Sequence, residues 1–498
     1  MGLESCGKQS ATNGSGKLQT NFQTGLVYGR QTILAPISPP YFLLTPYSLP
    51  GKILMTNKLT NRRRFIGTIA ATITGVAASS FTPVFGADYC PASLDKTHEF
   101  APDQKLVIGL WVPPPRHLSQ TEADMRMRFK QIADAGINMV WGVHLPYSFD
   151  DAMMPKVLDA CLEYGLEILL DIKVRATESV EAELARCLQD VNKYKDHPAV
   201  RGFSMCDEPG ASVFDRLAVI RREVDAVLPS GKHTTANLFP NYAPTWALGT
   251  PDYDTHVEEY MQKVRPQVLS FDFYPLTAAG NADGPFISNL ITIRNAAIKY
   301  NVPFWGFIQA IGWNGMREPV YDEYRWLCNA HIAFGAKGFS YFLYAMPYDG
   351  GGPEGFTNAM LAWDGNLTHL YDYAKNINKE LSGFSHKFMP FVQDGFIPVN
   401  LDAQLVQAIP GNLLRDSYGP LSKIETSGEM LNGCFELNGQ KAVYFFNWAR
   451  DNSMSAKLTF DGTVNFQLWG KDGLETQATA SELNVSLIPG EAKFLIFD

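Results

Sequence analysis

At one place in the sequence two carboxylates stand side by side at the end of an apolar run: Arg201-Gly202-Phe203-Ser204-Met205-Cys206-Asp207-Glu208-Pro209-Gly210. Two roles fit these residues. A carboxyl group delivered to a cleft can act as a general acid or base, and a carboxylate beside it makes it hold its proton more tightly. Alternatively, Asp207 and Glu208 cap a helix beginning near Val213, since carboxylates are favoured at helix N-termini. The Pro-Gly pair ends the strand in either case. The surrounding elements decide between the two.

Those elements repeat. From Lys105 onward, short runs rich in β-branched and aromatic residues alternate with polar loops and with segments of helical periodicity. The runs cover 106–111, 137–144, 166–172, the Asp207-Glu208 stretch, 234–239, 268–274, 303–310 and 338–344. The helical segments cover 121–135, 151–164, 180–194, 213–228, 255–264, 288–300, 321–334 and 367–381. Eight βα units within residues 100–390 predict an α/β fold, a (β/α)8 TIM barrel. A doubly wound open sheet would want a Gly-rich first turn, and 112–120 contains no glycine. After 391 the texture turns to β. Asn438-Gly439 between two apolar runs spells a hairpin, and further runs at 456–460, 464–469 and 491–497 predict a small C-terminal β-sandwich over 391–498.

In such a barrel the working side chains sit at the C-terminal ends of the strands. Reading off those ends gives Glu208, Asp207 and Asp272 as catalytic candidates. Trp111, His144, Asn237, Tyr274, Gln309, Trp313 and Tyr344 are substrate-binding candidates, and Asp171, beside Lys173, is read as structural. Alternation places Gly202, Ser204, Cys206 and Glu208 on one face of strand four if no bulge intervenes. It likewise groups Asp272 with Tyr274, and Phe342 with Tyr344. Carboxylates and amides hold hydroxyls while aromatics stack on sugar rings, so this population suits an oligo- or polysaccharide. Trp313, between Gly312 and Gly315, is the best stacking candidate. No Ser/Cys–His nucleophile pair and no His/Cys/Glu cluster with metal spacing emerges, so neither metal nor cofactor is expected.

Composition sets the outer bounds. The chain has 498 residues, 46% hydrophobic and 19% charged, which is globular and large enough for two or three domains. A net charge of −9 argues against a nucleic-acid partner. The 7 cysteines lack CxxC spacing and read as small buried hydrophobes. Residues 55–87 read as an export signal: Arg62-Arg63-Arg64-Phe65-Ile66 precedes a mildly apolar Gly/Ala/Thr stretch, with cleavage expected after Gly86 or Ala87. The arginine order resembles a twin-arginine signal, which implies the twin-arginine export machinery as a partner and an exported, periplasmic or extracellular location. The apolar run is too short and too rich in Gly and Thr to span a bilayer, and Tyr89 before Cys90 spoils a lipidation site, so no stable membrane anchor is expected. Residues 1–54 show no durable periodicity and read as disordered, or as preceding a true start at Met55.

Three motifs carry a family resemblance: Gly202-Phe203-x-x-x-Asp207-Glu208-Pro209, Ser270-Phe271-Asp272-x-Tyr274-Pro275 and Gly335-Ala336-Lys337-Gly338-Phe339-x-Tyr341-Phe342. Together they resemble barrel glycoside hydrolases of the β-galactosidase-like, family-42-like type within the large retaining clan, over about 105–498. The resemblance implies that Glu208 is the general acid/base, with Asp207 in place of the usual Asn that contacts the substrate 2-hydroxyl. It also implies a Glu nucleophile at the end of strand seven, where this chain has Gln309. Three readings follow. Asp272 supplies the second carboxylate, and its separation from Glu208 sets stereochemistry, about 5–5.5 Å for retention and about 6.5–9.5 Å for inversion. Or Asp207-Glu208 resembles the pair of hexosaminidase-type barrels, in which the substrate's acetamido group attacks. Or the barrel binds glycan without catalysis.

Overall fold

The structure, a computed structural model, describes residues 105–145 and 148–498. The segments read as an extension (1–54) and an export signal (55–87) lie outside the described residues.

Eight parallel strands close a barrel, as the periodicity predicts. They are β1 (Val107–Trp111), β2 (Met139–His144), β3 (Glu167–Asp171), β4 (Val200–Asp207), β5 (His233–Leu238), β6 (Leu269–Asp272), β7 (Phe304–Gln309) and β8 (Gly338–Phe342), with β8 pairing back onto β1. The helices after them are α1 (Glu122–Asp134), α2 (Met154–Glu163), α3 (Val180–Tyr194), α4 (Phe214–Val227), α5 (Tyr253–Lys263), α6 (Asp283–Lys299), α7 (Tyr321–Ala333) and α8 (His369–Ser382).

Strands buried on both faces need apolar residues in both phases. Leu110, Val140, Phe203, Met205, Ala236, Leu238 and Phe271 enter the layer beneath the helices. Val107, Met139, Trp141, Leu169, Trp305 and Phe307 point the other way and fill the barrel. Trp141 lies 5.3 Å from Phe307 and 6.4 Å from Trp305, centroid to centroid. Room for these rings comes from small residues opposite: a Cβ at Gly338 would stand 2.8 Å from Trp305 Cδ1, and one at Gly109 2.2 Å from Ser340 Oγ. The barrel interior is therefore a packed aromatic plug, and polar inward residues are left for the C-terminal mouth.

Two strands end two residues sooner than predicted. β6 stops at Asp272, because the chain then turns into a short hairpin, Leu276–Thr277 with Gly280–Asn281. β8 stops at Phe342. Alternation therefore carries over neither to Tyr274 nor to Tyr344.

The C-terminal region is antiparallel β, as expected, in the form of one continuous sheet curled around its own core. Its strands are β9 (Val392–Val399), β10 (Leu421–Thr426), β11 (Met430–Leu437), β12 (Gln440–Phe446), β13 (Met454–Gly470), β14 (Gly473–Leu487) and β15 (Ala492–Phe497). They run in the order β9-β11-β12-β15-β13-β10, with β14 on β13. Cys434, Val443, Phe445, Leu458, Phe466 and Leu495 pack inside. The Asn438-Gly439 turn has φ of 50° and 90°, the left-handed pair that a two-residue hairpin needs.

This sheet is fastened to α7. Trp326 Nε1 donates to Trp448 O at 2.8 Å, Asn329 Nδ2 to Gly490 O at 2.8 Å, and Tyr444 Oη to Asn329 Oδ1 at 2.6 Å. Arg450 forks onto Asp283 at 2.7 and 2.9 Å while lying 3.6 Å from the Trp326 ring centroid. Where the barrel hands over to the sheet, buried Lys337 donates to the carbonyls of Met389 at 2.8 Å and Phe391 at 2.5 Å. Lys337→Met keeps the apolar stem but strands those acceptors, and a buried unsatisfied polar group costs about 1–3 kcal/mol. The variant is expected to lose about 3 kcal/mol in urea unfolding, and a loss under about 1 kcal/mol would contradict the role given to this lysine.

Candidate active site

The inward residues nearest the strand C-termini are Trp111, His144, Asp171, Asp207, Asn237, Asp272, Gln309 and Phe342. Two bulges set this arrangement. On β2, Val140 pairs with Ile168 but Val143 with Leu170, so one extra residue turns His144 inward opposite Asp171. On β4, Ser204 pairs with Thr235 but Asp207 with Asn237. The extra residue there gives the inward phase to Asp207 and takes it from Cys206. The no-bulge alternation of strand four is thus corrected, and bulges of this kind re-aim side chains near active sites.

Glu208 follows the end of β4 with φ of 46°, a left-handed conformation uncommon for a non-glycine residue. Its N–H donates to Asn237 O at 2.8 Å, which fixes it beside β5. The helix-cap reading fails. The residue preceding α4 is Val213, and no side chain caps that helix.

Three carboxyl groups meet here. Burial pushes Glu208 well above the usual carboxylate range, and Asp272 and then Asp207 add to the effect. Asp272, 8% exposed, is also held well above it, by burial and by Asp207, against the opposing pull of Tyr274 and Asn237. Asp207 is an exposed residue at the mouth, and crowding around its carboxyl pushes it up to about 6 against the opposing Asn237 hydrogen bond, with Asp171 adding to the rise and His144 pulling the other way. Asn237 Nδ2 donates to Asp207 Oδ1 at 3.3 Å, while its Oδ1 accepts from Ser270 Oγ at 2.9 Å. The amide is thereby oriented toward Asp207. Read from the sequence as a substrate contact, Asn237 is buried and engaged at both ends.

Asp171, read from the sequence as structural, takes a hydrogen bond from His144 Nδ1 and another from Lys173 N–H at 3.0 Å. The His144 ring stands edge-on to Trp111, 6.1 Å between centroids, and Trp111 is half-buried at the rim. Tyr274 lies 4.9 Å from Trp313 and 5.2 Å from Phe342, forming an aromatic wall beside Asp272.

Three predicted site residues are placed elsewhere. Gln309 is 0% exposed: its Oε1 accepts from Leu276 N–H, and its Nε2 donates to Leu276 O and Arg317 O, all at 2.9 Å. The side chain is a clamp on the hairpin after β6: both amide hydrogens are used and the group is fully buried, so it presents nothing to the cleft. Tyr344, 0% exposed, packs into the layer beneath the helices. Trp313, 6% exposed, is covered by Tyr274, Phe342 and Phe356, so it belongs to the wall and offers no open stacking face. Reading strand ends alone misses Tyr242, in the loop after β5, whose ring leans on Phe273 and whose hydroxyl lies in the field of Asp272 and Glu208.

No protein-family model matches the sequence, and no curated protein matches it. Among solved structures it is similar to Gan42B, a GH42 β-galactosidase, with a TM-score of 0.55 at 10% identity, covering 79% of this chain and 98% of that one. A family 39 glycoside hydrolase from the gut symbiont Bacteroides cellulosilyticus WH2 gives a TM-score of 0.47 at 12% identity, covering 80% and 82%. An Anoxybacillus α-amylase gives 0.46 at 9% identity, covering 79% and 97%. The first of these shows a shared fold.

The raised Asp207 has a consequence for stability. A free carboxyl titrates near about 3.9, so the folded state binds the Asp207 proton more tightly than the unfolded state does, and stability is lost as pH rises from about 4 to about 6. Asp207→Asn removes that loss. Solvent screening at this accessible group keeps the gain small, so Tm should rise by about 2 °C at pH 7.5 and be unchanged near pH 4. A shift of equal size at both pH values would contradict the assigned protonation.

Proposed function

We propose that this chain is a glycoside hydrolase in which Glu208 is the general acid/base and Asp272 the second carboxylate. The observation that carries the reading is the convergence of Asp207, Glu208 and Asp272 at the mouth of the barrel, where burial and the neighbouring carboxyls raise the proton affinity of Glu208. A carboxylic acid that keeps its proton near neutral pH can pass it to a leaving glycosidic oxygen. The barrel mouth, with its aromatic wall and oriented amide, is the kind of setting in which a sugar ring is held for that transfer. The likeness in fold to a GH42 β-galactosidase favours the same chemistry. Gln309, which stands where the family-42-like pattern has its nucleophile, is committed to the main chain, so the second role passes to Asp272, which has to give up its tightly held proton before it can act.

A second reading is favoured by one observation. Asp207 is accessible, next to Glu208, and has the lower proton affinity of the two, as the orienting Asp of substrate-assisted N-acetylhexosaminidases requires. In that case Asp207, and not Asp272, would carry the second role. We further read Arg62-Arg63-Arg64-Phe65-Ile66 as a twin-arginine address that sends the protein out of the cytoplasm to an oligo- or polysaccharide substrate.

The test is leaving-group dependence across a panel of 4-nitrophenyl and unactivated glycosides. Glu208→Gln should lower kcat/KM about 10²- to 10⁴-fold on unactivated glycosides and much less on 4-nitrophenyl glycosides, whose departure needs little protonation. Asp272→Asn should lower both classes alike. If Glu208→Gln turns over unactivated substrates at the parental rate, the assignment falls. Turnover confined to N-acetylhexosaminides, lost in Asp207→Asn but kept in Asp272→Asn, selects the second reading.

A further inference from the structure

The curled sheet encloses a cavity of its own, about 640 Å³ in volume, and none of the residues lining it belongs to the barrel. Small-molecule sites commonly hold about 300–1,000 Å³. The long β13–β14 hairpin curls until its two ends face each other across this space. Met454, Ser455, Ser486 and Leu487 stand at one end, and Lys471 to Glu475 at the turn. Glu491, just before β15, and Lys493 on it form the third side.

The best-fixed group in the cavity is the Glu491 carboxyl. Glu491 is 5% exposed, and the turn 488–491 closes on itself: Ile488 N–H donates to Glu491 Oε2 at 2.8 Å, and Glu491 N–H to Ile488 O at 3.1 Å. Asn329 of α7 holds the same turn through Gly490 O. Glu491 Oε1 accepts no hydrogen bond among the described residues, and Lys471 Nζ stands 3.9 Å from it. That gap is too long for a direct hydrogen bond, yet one hydroxyl oxygen can reach both ends of it. Burial raises the proton affinity of Glu491 against the opposing Ile488 N–H, Lys471 and Lys493. A buried acceptor short of a donor costs free energy, which a ligand can return.

Charge and surface narrow the ligand class. Asp472, Glu475 and Glu491 outnumber Lys471 and Lys493 in the wall, so an anion meets net repulsion, while the two ammonium groups oppose a cation. Lys493 Nζ spends one hydrogen bond on Glu475 Oε2 at 2.6 Å, and Ser455 Oγ pairs with Ser486 Oγ at 2.9 Å. Donors and acceptors therefore alternate around the cavity. Adjacent hydroxyls complement such a wall, because each both donates and accepts. Met454, Leu487 and Ile488 add an apolar patch on which the C–H face of a sugar ring can lie.

We propose that this cavity is a second, non-catalytic glycan site, in which hydroxyls of one uncharged sugar residue accept from Lys471 Nζ and donate to Glu491 Oε1. The site is read by binding and not by turnover, so it does not depend on the role given to Glu208. For a barrel acting on polysaccharide, as proposed above, it would keep the chain attached between cleavages.

The experiment titrates D-glucose, D-galactose, D-mannose and N-acetyl-D-glucosamine into the full chain carrying carbon-13 at its methionine methyl groups. The Met454 signal, assigned by its loss in Met454→Leu, should move and saturate with at least one sugar, at a Kd of about 1–10 mM. Lys471→Met removes a charged donor and should weaken that binding at least about tenfold. Lys457→Met, on β13 but outside the cavity, should leave it unchanged. A Met454 signal that none of the four sugars moves overturns the proposal, and so does equal affinity in Lys471→Met. A signal moved by sodium phosphate or calcium chloride and by no sugar overturns it as well.

Discussion

Glu208 and Asp272 are crowded and poorly hydrated beside the exposed Asp207, and the remainder of the site follows from that constraint. Two unit charges about 5 Å apart repel by about 3 kcal/mol at an effective dielectric near about 20. One neutral hydrogen bond returns only about 1 kcal/mol. The amide of Asn237 and the hydroxyl of Tyr274 therefore moderate the repulsion at Asp272 without cancelling it, and Asp272 stays well above the usual carboxylate range. Asp207, eased by Asn237 and His144 and exposed at the mouth, is the group that ionises most readily of the three.

Holding such a cluster together requires a rigid surround. Below it, Trp141, Trp305 and Phe307 close the barrel, accommodated by the glycines and serine of β1 and β8. Beside it, the bulge on β4 aims Asp207 inward, and the left-handed turn at Glu208 brings the next residue over the same mouth. Gln309 fixes the hairpin that follows Asp272. Farther out, the curled sheet grips α7 through Trp326, Asn329 and Arg450, so the face of the barrel behind β7 and β8 is braced. Tyr242, pinned to α6, is an exposed residue of the rim, as Asp207 is.

The barrel was legible because doubly buried strands write long apolar runs and their helices a 3.6-residue period, signals strong over residues 105–381. The carboxylates were legible because an Asp-Glu pair is costly at the end of such a run. The inward phase of β4 was not, since a bulge leaves no mark in the residue types around Ser204 and Asp207. Trp313, Tyr344 and Gln309 show the limit of reading strand ends: residue type says what a side chain can do, while packing decides whether it is still free to do it. β14 escaped for another reason. Its alternation is between polar and partly exposed residues such as Glu475, Thr476 and Gln477, so it lacks the apolar face by which strands are recognised. Tyr242 sits on a loop, where no periodicity points inward or outward.

The proposed function depends on Glu208 acting as the proton donor. The most direct measurement is rescue of Glu208→Ala by azide on an activated aryl glycoside. Loss of the carboxyl leaves space for a small anion, so azide is predicted to restore turnover and to release a glycosyl azide, while the wild-type protein shows no azide dependence. A Glu208→Ala protein that stays folded and cleaves unactivated glycosides at the parental rate without azide would contradict it.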